Sequence, residues 1–244
     1  MNEKAIEVKN LSFSYGKGEE RVISDVSFEV YRGDYFGLIG PNGSGKTTLL
    51  KLCLGLIKRK SGLIRVLGED INELKNRKRI AYISQKANSF NTAFPATAEE
   101  IILSGLLALG YGKQKAKEAM RETMHRLKIE NLGKKKIGEL SGGQQQRVFI
   151  AKAVASQPEI LFLDEPTVGI DYQAEEYFYA TMEKLNESGM TIFMINHDIS
   201  SVTACAKRVG CIGETFHVHD AEDMRRFADS KQNIFGSERV LITH

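Results

Sequence analysis

The chain is short of features that several protein classes need. Its 244 residues include only three cysteines, Cys53, Cys205 and Cys211. That is too few for a disulfide framework and fits a reducing compartment. Charge of one sign is not in excess: 34 Lys and Arg face 31 Asp and Glu, a net charge of +3. This argues against a dedicated nucleic-acid binder. Long apolar runs are missing as well. The longest near-apolar stretch, Ile101 to Gly110, is shorter than the roughly 20 residues that span a bilayer. The opening Met1-Asn2-Glu3-Lys4 is polar, and the expectation is a chain without a signal peptide. A membrane role would therefore run through a partner chain. No internal repeat, low-complexity tract or heptad run stands out. What is left is a globular protein of one large or two small domains, with an ordinary 42% of hydrophobic residues.

Among the residues that are present, 40–48 dominate: Gly40, Pro41, Asn42, Gly43, Ser44, Gly45, Lys46, Thr47 and Thr48. They fill the phosphate-loop pattern G-x-x-x-x-G-K-[ST]. Successive backbone N–H groups in a glycine-rich turn make a concave nest for phosphate oxygens. The next helix adds unpaired N–H groups and the positive end of its dipole. Lys46 brings a full charge for the outer phosphates, and the Thr47 hydroxyl suits Mg²⁺. The flanks agree: residues 35–39 read as a buried strand and 48–54 as a helix.

Residues 5–11 and 26–30 alternate apolar with polar, and 63–67 reads as a third strand, so a small antiparallel sheet is expected. Continuous apolar runs at 80–83, 160–163 and 192–195 join 35–39 as buried strands. Each is followed at once by polar residues: Ser84-Gln85, Asp164-Glu165 and Asn196-His197. Ligands in open α/β sheets bind outside the carboxyl ends of the strands. Lys46, Gln85, Asp164, Glu165 and His197 are thus expected at one sheet edge. Between them, 97–109 and 113–127 read as helices. Lys113, Lys115, Lys117 and Arg121 form either a solvated face or a basic contact surface. Residues 216–244 are charged and weakly patterned, and read as a peripheral appendage.

Leu140-Ser141-Gly142-Gly143-Gln144 is a second loop of phosphate type. Ser141 with Gln144 three residues on matches a capping box ahead of a helix over 145–155. Two glycines at a helix start also bare N–H groups to an anion.

These motifs, in this order, make the sequence resemble the nucleotide-binding subunits of ATP-binding cassette transporters over about residues 5–215. Residues 160–165 correspond to the Walker B strand, and Val168-Gly169-Ile170-Asp171 to the D-loop. The resemblance implies an α/β fold: a P-loop NTPase core with a mostly parallel sheet, a small antiparallel β subdomain and an inserted α-helical subdomain at about 88–155. The cassette would cover 1–220, with 221–244 appended. It implies an ATPase with ATP and Mg²⁺ as cofactors. Asp164, Thr47 and Gln85 would organise the metal, and Glu165 would be the general base. His197 would meet the γ-phosphate, and Tyr15 would stack on adenine. Ser141, Gly142, Gly143 and Gln144 would contact nucleotide held by a second copy, so a homodimer follows.

The implied partners are membrane permease subunits docking near 86–100 and, indirectly, an extracytoplasmic metal-binding protein, with no nucleic acid. The chain would then sit in the cytoplasm on the inner face of the cell membrane. Phe94-Pro95-Ala96-Thr97-Ala98-Glu99-Glu100 looks like the corresponding region of importers for zinc, manganese or chelated iron, although Ala98 stands where Val is common. Phe90 and Phe94 either mark an interface or fill this domain's own core. His217 and His219 either form a metal-binding pair or simply share one side of a strand. Rival readings are an ABC ATPase for another substrate, a DNA-repair or chromosome-organising relative, a translation-associated relative, and a soluble assembly scaffold. The first of those relatives carries long coiled coils and the second usually two cassettes; neither feature is present here.

Overall fold

A computed structural model describes residues 3–16, 21–84 and 94–229, with the backbone alone at 227–229. In chain order the elements begin with β1 (Lys4–Phe13), β2 (Ile23–Tyr31), β3 (Tyr35–Ile39), α1 (Lys46–Cys53), β4 (Leu63–Val66) and β5 (Glu69–Asp70). Then come β6 (Ile80–Ile83), α2 (Ala98–Ala108), α3 (Lys113–Arg126), α4 (Gly142–Val154), β7 (Ile160–Asp164) and α5 (Tyr172–Glu187). The last are β8 (Thr191–Ile195), α6 (Ile199–Cys205), β9 (Arg208–Ile212), β10 (Phe216–Asp220) and α7 (Ala221–Asp229). They fall into two compact units, 1–75 with 191–244, and 76–190.

In the first unit, β2, β1, β4 and β5 form an antiparallel sheet in that order. Val8 lies opposite Phe28 on one side and Ile64 on the other. Alternation explains the register, because a slip by one residue would turn these side chains out of the core. A second set of strands has β3 parallel to both β8 and β9. All five residues of β3 and of β8 are buried, which is why they read as unbroken apolar runs. Phe28 of the antiparallel sheet stacks on Phe36 of β3 with ring centroids 5.5 Å apart, and Phe36 stacks on Phe193 of β8 at 5.4 Å. Aromatic contacts of this kind add about 0.5–1.5 kcal/mol each to the area they bury. Three strands went unread in the sequence, the two-residue β5 among them. β9 is parallel to β3, and β10, in the weakly patterned stretch after residue 215, pairs antiparallel with β9.

In the second unit, β6 runs parallel to β7, with Tyr82 opposite Phe162. Helices α2, α3, α4 and α5 supply the rest. Buried Ile101, Ile102 and Leu106 of α2 and Val148, Ala151 and Val154 of α4 are the apolar stripes that helical spacing demands. No helix among the described residues is long and apolar enough to cross a membrane.

Candidate nucleotide site

In the first unit β3 ends at Ile39 and the chain turns through residues 40–45 into α1. The glycines here answer to geometry. A Cβ on Gly40 would lie 2.2 Å from the Ile212 carbonyl oxygen, so no larger residue fits. Gly45 is the N-cap of α1 at φ 95°, a conformation that side chains resist. Lys46 is buried to 5% exposure, and its ammonium donates to the carbonyls of Gly40 at 2.8 Å and Pro41 at 2.9 Å. A buried ammonium is costly to keep charged away from anions, and this one is folded across the loop that phosphate nests use. The Ser44 hydroxyl oxygen is buried and has no hydrogen-bond partner among the described residues. An orphaned hydroxyl inside a glycine cradle fits a ligand rich in acceptor oxygens. Pro41, Asn42 and Gly43 are exposed, Thr47 is half-buried and Thr48 is buried.

Tyr15 reaches this loop from the end of the β1 segment. Its hydroxyl lies 3.0 Å from the Thr48 hydroxyl, and its ring, 55% exposed, meets Phe13 edge-on at 5.1 Å. A half-exposed aromatic beside the loop is suited to stacking a base. His197 follows β8, and the Asn196 amide donates to the Leu38 carbonyl at 3.3 Å. The parallel register of Leu38 with Ile195 therefore brings exposed His197 to the carboxyl edge where the phosphate loop begins. Buried Asn196 shapes that turn, its side-chain oxygen accepting from the amides of His197 at 2.7 Å and Asp198 at 3.2 Å.

In the second unit, β7 ends at Asp164, which is 5% exposed. Its carboxylate accepts from the Tyr82 hydroxyl at 3.3 Å. Burial first, and then the Asp164 charge and hydrogen bond, push the Tyr82 phenol up to about 12. Glu165 does not continue the strand. It takes φ 47°, the left-handed region, which costs a non-glycine residue about 1–2 kcal/mol. The backbone turns out of the strand at Glu165. Strained backbone of this kind concentrates at functional sites.

Ser141 caps α4 as its pattern requires. Its hydroxyl accepts from the Gln144 amide at 3.4 Å, and the Gln144 side chain accepts from the Ser141 amide at 3.2 Å. Ser141 and Gly142 are exposed, while Gly143 and Gln144 are half-buried. Asp171 caps α5, accepting from the Ala174 amide at 2.9 Å. Gln85 and Phe90 lie outside the described residues. Phe94 is 48% exposed. His217 and His219 have ring centroids 6.2 Å apart. No group of three or more metal-ligating side chains occurs among the described residues.

Sequence reasoning missed Tyr82, Gln145 and Gln146. Gln145 donates to the carbonyls of Ile137 at 3.0 Å and Leu140 at 3.1 Å; Gln146 donates to that of Pro166 at 2.8 Å. A signal was available. Gln145 lies three residues before Val148, and Gln146 three before Phe149, so polar side chains stand on stripes that are otherwise apolar.

A family model described as "ABC transporter" matches residues 23–168, more than half of the chain. The chain belongs to the ABC transporter family. It is 42% identical over 243 residues to the zinc uptake system ATP-binding protein ZurA of Listeria innocua, spanning 97% of this chain and 94% of that one. It is 39% identical over 201 residues to the manganese transport system ATP-binding protein MntB of Halalkalibacterium halodurans, spanning 81% and 78%. Among solved structures, cbiO1 from Clostridium perfringens, part of the ABC transporter complex cbiONQ, matches with a TM-score of 0.83 at 23% identity over 93% of each chain. That likeness carries the fold, an α/β P-loop NTPase with a small antiparallel sheet. This ABC-family chain is an ATP-binding, ATP-hydrolysing subunit.

Proposed function

We propose that this ABC ATPase energises import of a divalent metal ion, zinc or manganese, through a separate membrane permease. The observation that carries the reading is the near-full-length likeness to a zinc uptake ATP-binding protein. The chain would work as a homodimer on the inner face of the membrane, with an extracytoplasmic metal-binding protein delivering the ion. In this reading the cassette is residues 1–220, with a helical subdomain at about 88–155 and an appendage at 221–244.

Residues 40–48 hold the ATP phosphates, Lys46 matching their charge, while Tyr15 stacks on adenine. Ser141 to Gln144 close over the nucleotide of the second copy. Thr47 and Asp164 offer the hard oxygen donors that Mg²⁺ takes, with Gln85 as a third. Bound there, Mg²⁺ would neutralise charge on the outer phosphate oxygens. Glu165 takes a proton from water as its oxygen attacks the γ-phosphorus, the bond to the β-phosphate oxygen breaks, and ADP and phosphate leave. His197 donates to the γ-phosphate. Support comes from the buried Lys46, the orphaned Ser44 hydroxyl and the strained Glu165 backbone.

Glu165→Gln tests the reading directly. It should keep ATP affinity, lower hydrolysis about 10²–10⁴-fold, and abolish permease-dependent zinc and manganese uptake. Hydrolysis at the parental rate would refute the base; loss of hydrolysis with uptake intact would refute the transport role. Residues 86–100 dock the permease in this reading, with exposed Phe94 at the contact. Phe94→Ala should then leave melting temperature and basal ATPase unchanged and cut metal uptake. A collapsed melting temperature, or normal uptake, would sink the docking assignment.

A further inference from the structure

The Asp164-Glu165-Pro166 corner is held from α4, the helix that Ser141 opens. Gln146 lies in the second turn of that helix and is 3% exposed, and its side-chain amide donates to the Pro166 carbonyl at 2.8 Å. Its neighbours Val148, Phe149 and Ile150 are buried and apolar. A methionine or leucine at this position would fill the space without the cost of burying an amide. The amide therefore answers a specific demand, and that demand sits one residue from Glu165. There the backbone is forced to φ 47°, and a strained conformation persists only where its surroundings over-determine it. Gln145, the residue before, anchors the same helix start to the carbonyls of Ile137 and Leu140. The helix is thus bolted down on one side, and Gln146 reaches from it to the corner on the other.

We infer that Gln146 is a positioning residue for Glu165: its bond to the Pro166 carbonyl fixes the corner from which the Glu165 carboxylate is aimed at the attacking water. The inference rests on the reading of Glu165 as the general base. It has a further consequence for the dimer. Residues 141–144 and the Glu165 corner become two ends of one braced piece, since Gln146 follows Ser141 by a turn and a half. A contact that shifts the start of α4 is then felt at the corner of the same chain.

The test uses the full chain and steady-state ATPase kinetics. Gln146→Met conserves volume and removes the donor. Misplacing a catalytic group by about 1 Å costs up to about 100-fold, so kcat should fall tenfold or more while the KM for ATP stays within about twofold. In a Glu165→Gln background, where no base is left to aim, the same change should have no further effect on the residual rate. Gln146→His, which keeps a donor of similar reach, should recover part of kcat. A purely structural role predicts otherwise: equal losses in both backgrounds, or a raised KM with kcat unchanged, and either result overturns the inference. If Gln146→Met fails to fold, the comparison of Gln146→His with Gln146→Asn, whose amide is one methylene short, replaces it; equal kcat values in that pair would likewise overturn it. Failure of the base reading looks different, because Glu165→Gln alone would then hydrolyse ATP normally.

Discussion

Single side chains at this site do their work through partners far away in the chain. Tyr82 is one case. Its hydroxyl reaches Asp164 across 82 positions, and its phenol, pushed up to about 12, stays protonated at any physiological pH. It is therefore always a donor to Asp164, whose carboxylate is the proposed organiser of Mg²⁺. Groups that orient a metal ligand from behind typically matter about 10–100-fold in affinity or activity. Tyr82→Phe keeps the ring and removes only the donor. The Mg²⁺ concentration for half-maximal ATPase should then rise about tenfold, with the melting temperature little changed. An unaltered Mg²⁺ titration would show that the hydroxyl is only a passive neighbour.

Side-chain caps mark where α2, α4 and α5 begin. Thr97 opens α2 with a complete box: its hydroxyl accepts from the Glu100 amide at 3.3 Å, and the Glu100 carboxylate accepts from the Thr97 amide at 2.8 Å. The Thr97 amide, and then the Thr97 hydroxyl donating to the same carboxylate at 3.0 Å, hold the Glu100 carboxyl below its usual range. Ser141 opens α4 and Asp171 opens α5 in related ways. Losing such a cap typically costs about 1 kcal/mol. In a chain of this size that lowers the melting temperature by about 2–4 °C. Thr97→Ala should show that drop in calorimetry and leave the KM for ATP unchanged. A larger collapse would mean that Thr97 holds more than its own helix.

At the scale of the whole molecule, charges in the antiparallel sheet make stability depend on pH. Buried Glu7 receives Lys4 and Lys9, each at 2.8 Å, with Arg65 at 3.7 Å. Hydrogen bonds from Lys4 and then Lys9 outweigh burial and lower its carboxyl to about 2. Asp70 is lowered to about 2 chiefly by the paired bonds from Arg59 at 2.7 and 2.6 Å. The sign follows from linkage. Both carboxyls titrate lower when folded than the values near 4 expected of an unfolded chain. Their contribution is therefore complete only above about pH 5 and is lost as pH falls toward 2. Urea midpoints should decline steeply between pH 4.5 and about 2.5, and Glu7→Gln should flatten that decline while lowering stability at pH 7. A variant with an unchanged pH slope would place the acid sensitivity elsewhere.

Much of this was legible because the chemistry is local. A phosphate nest is made of consecutive residues, so 40–48 announces itself. Caps act over three positions, which is why Ser141 with Gln144 could be read directly. Buried parallel strands are unbroken apolar runs, so 35–39, 160–163 and 192–195 were visible, and family-specific order made the motifs decisive together. Tertiary structure decided the rest. The pairing of β9 with β3, and of β10 with β9, depends on which edges are free once the other strands have packed. The bonds of Gln146 to Pro166 and of Tyr82 to Asp164 join residues 20 and 82 positions apart, and separations of that size leave no periodicity to read. Least visible was the φ of 47° at Glu165. Nothing in a glutamate's own preferences selects the left-handed region; only surrounding structure can impose it, because the residue alone would relax to a lower-energy conformation.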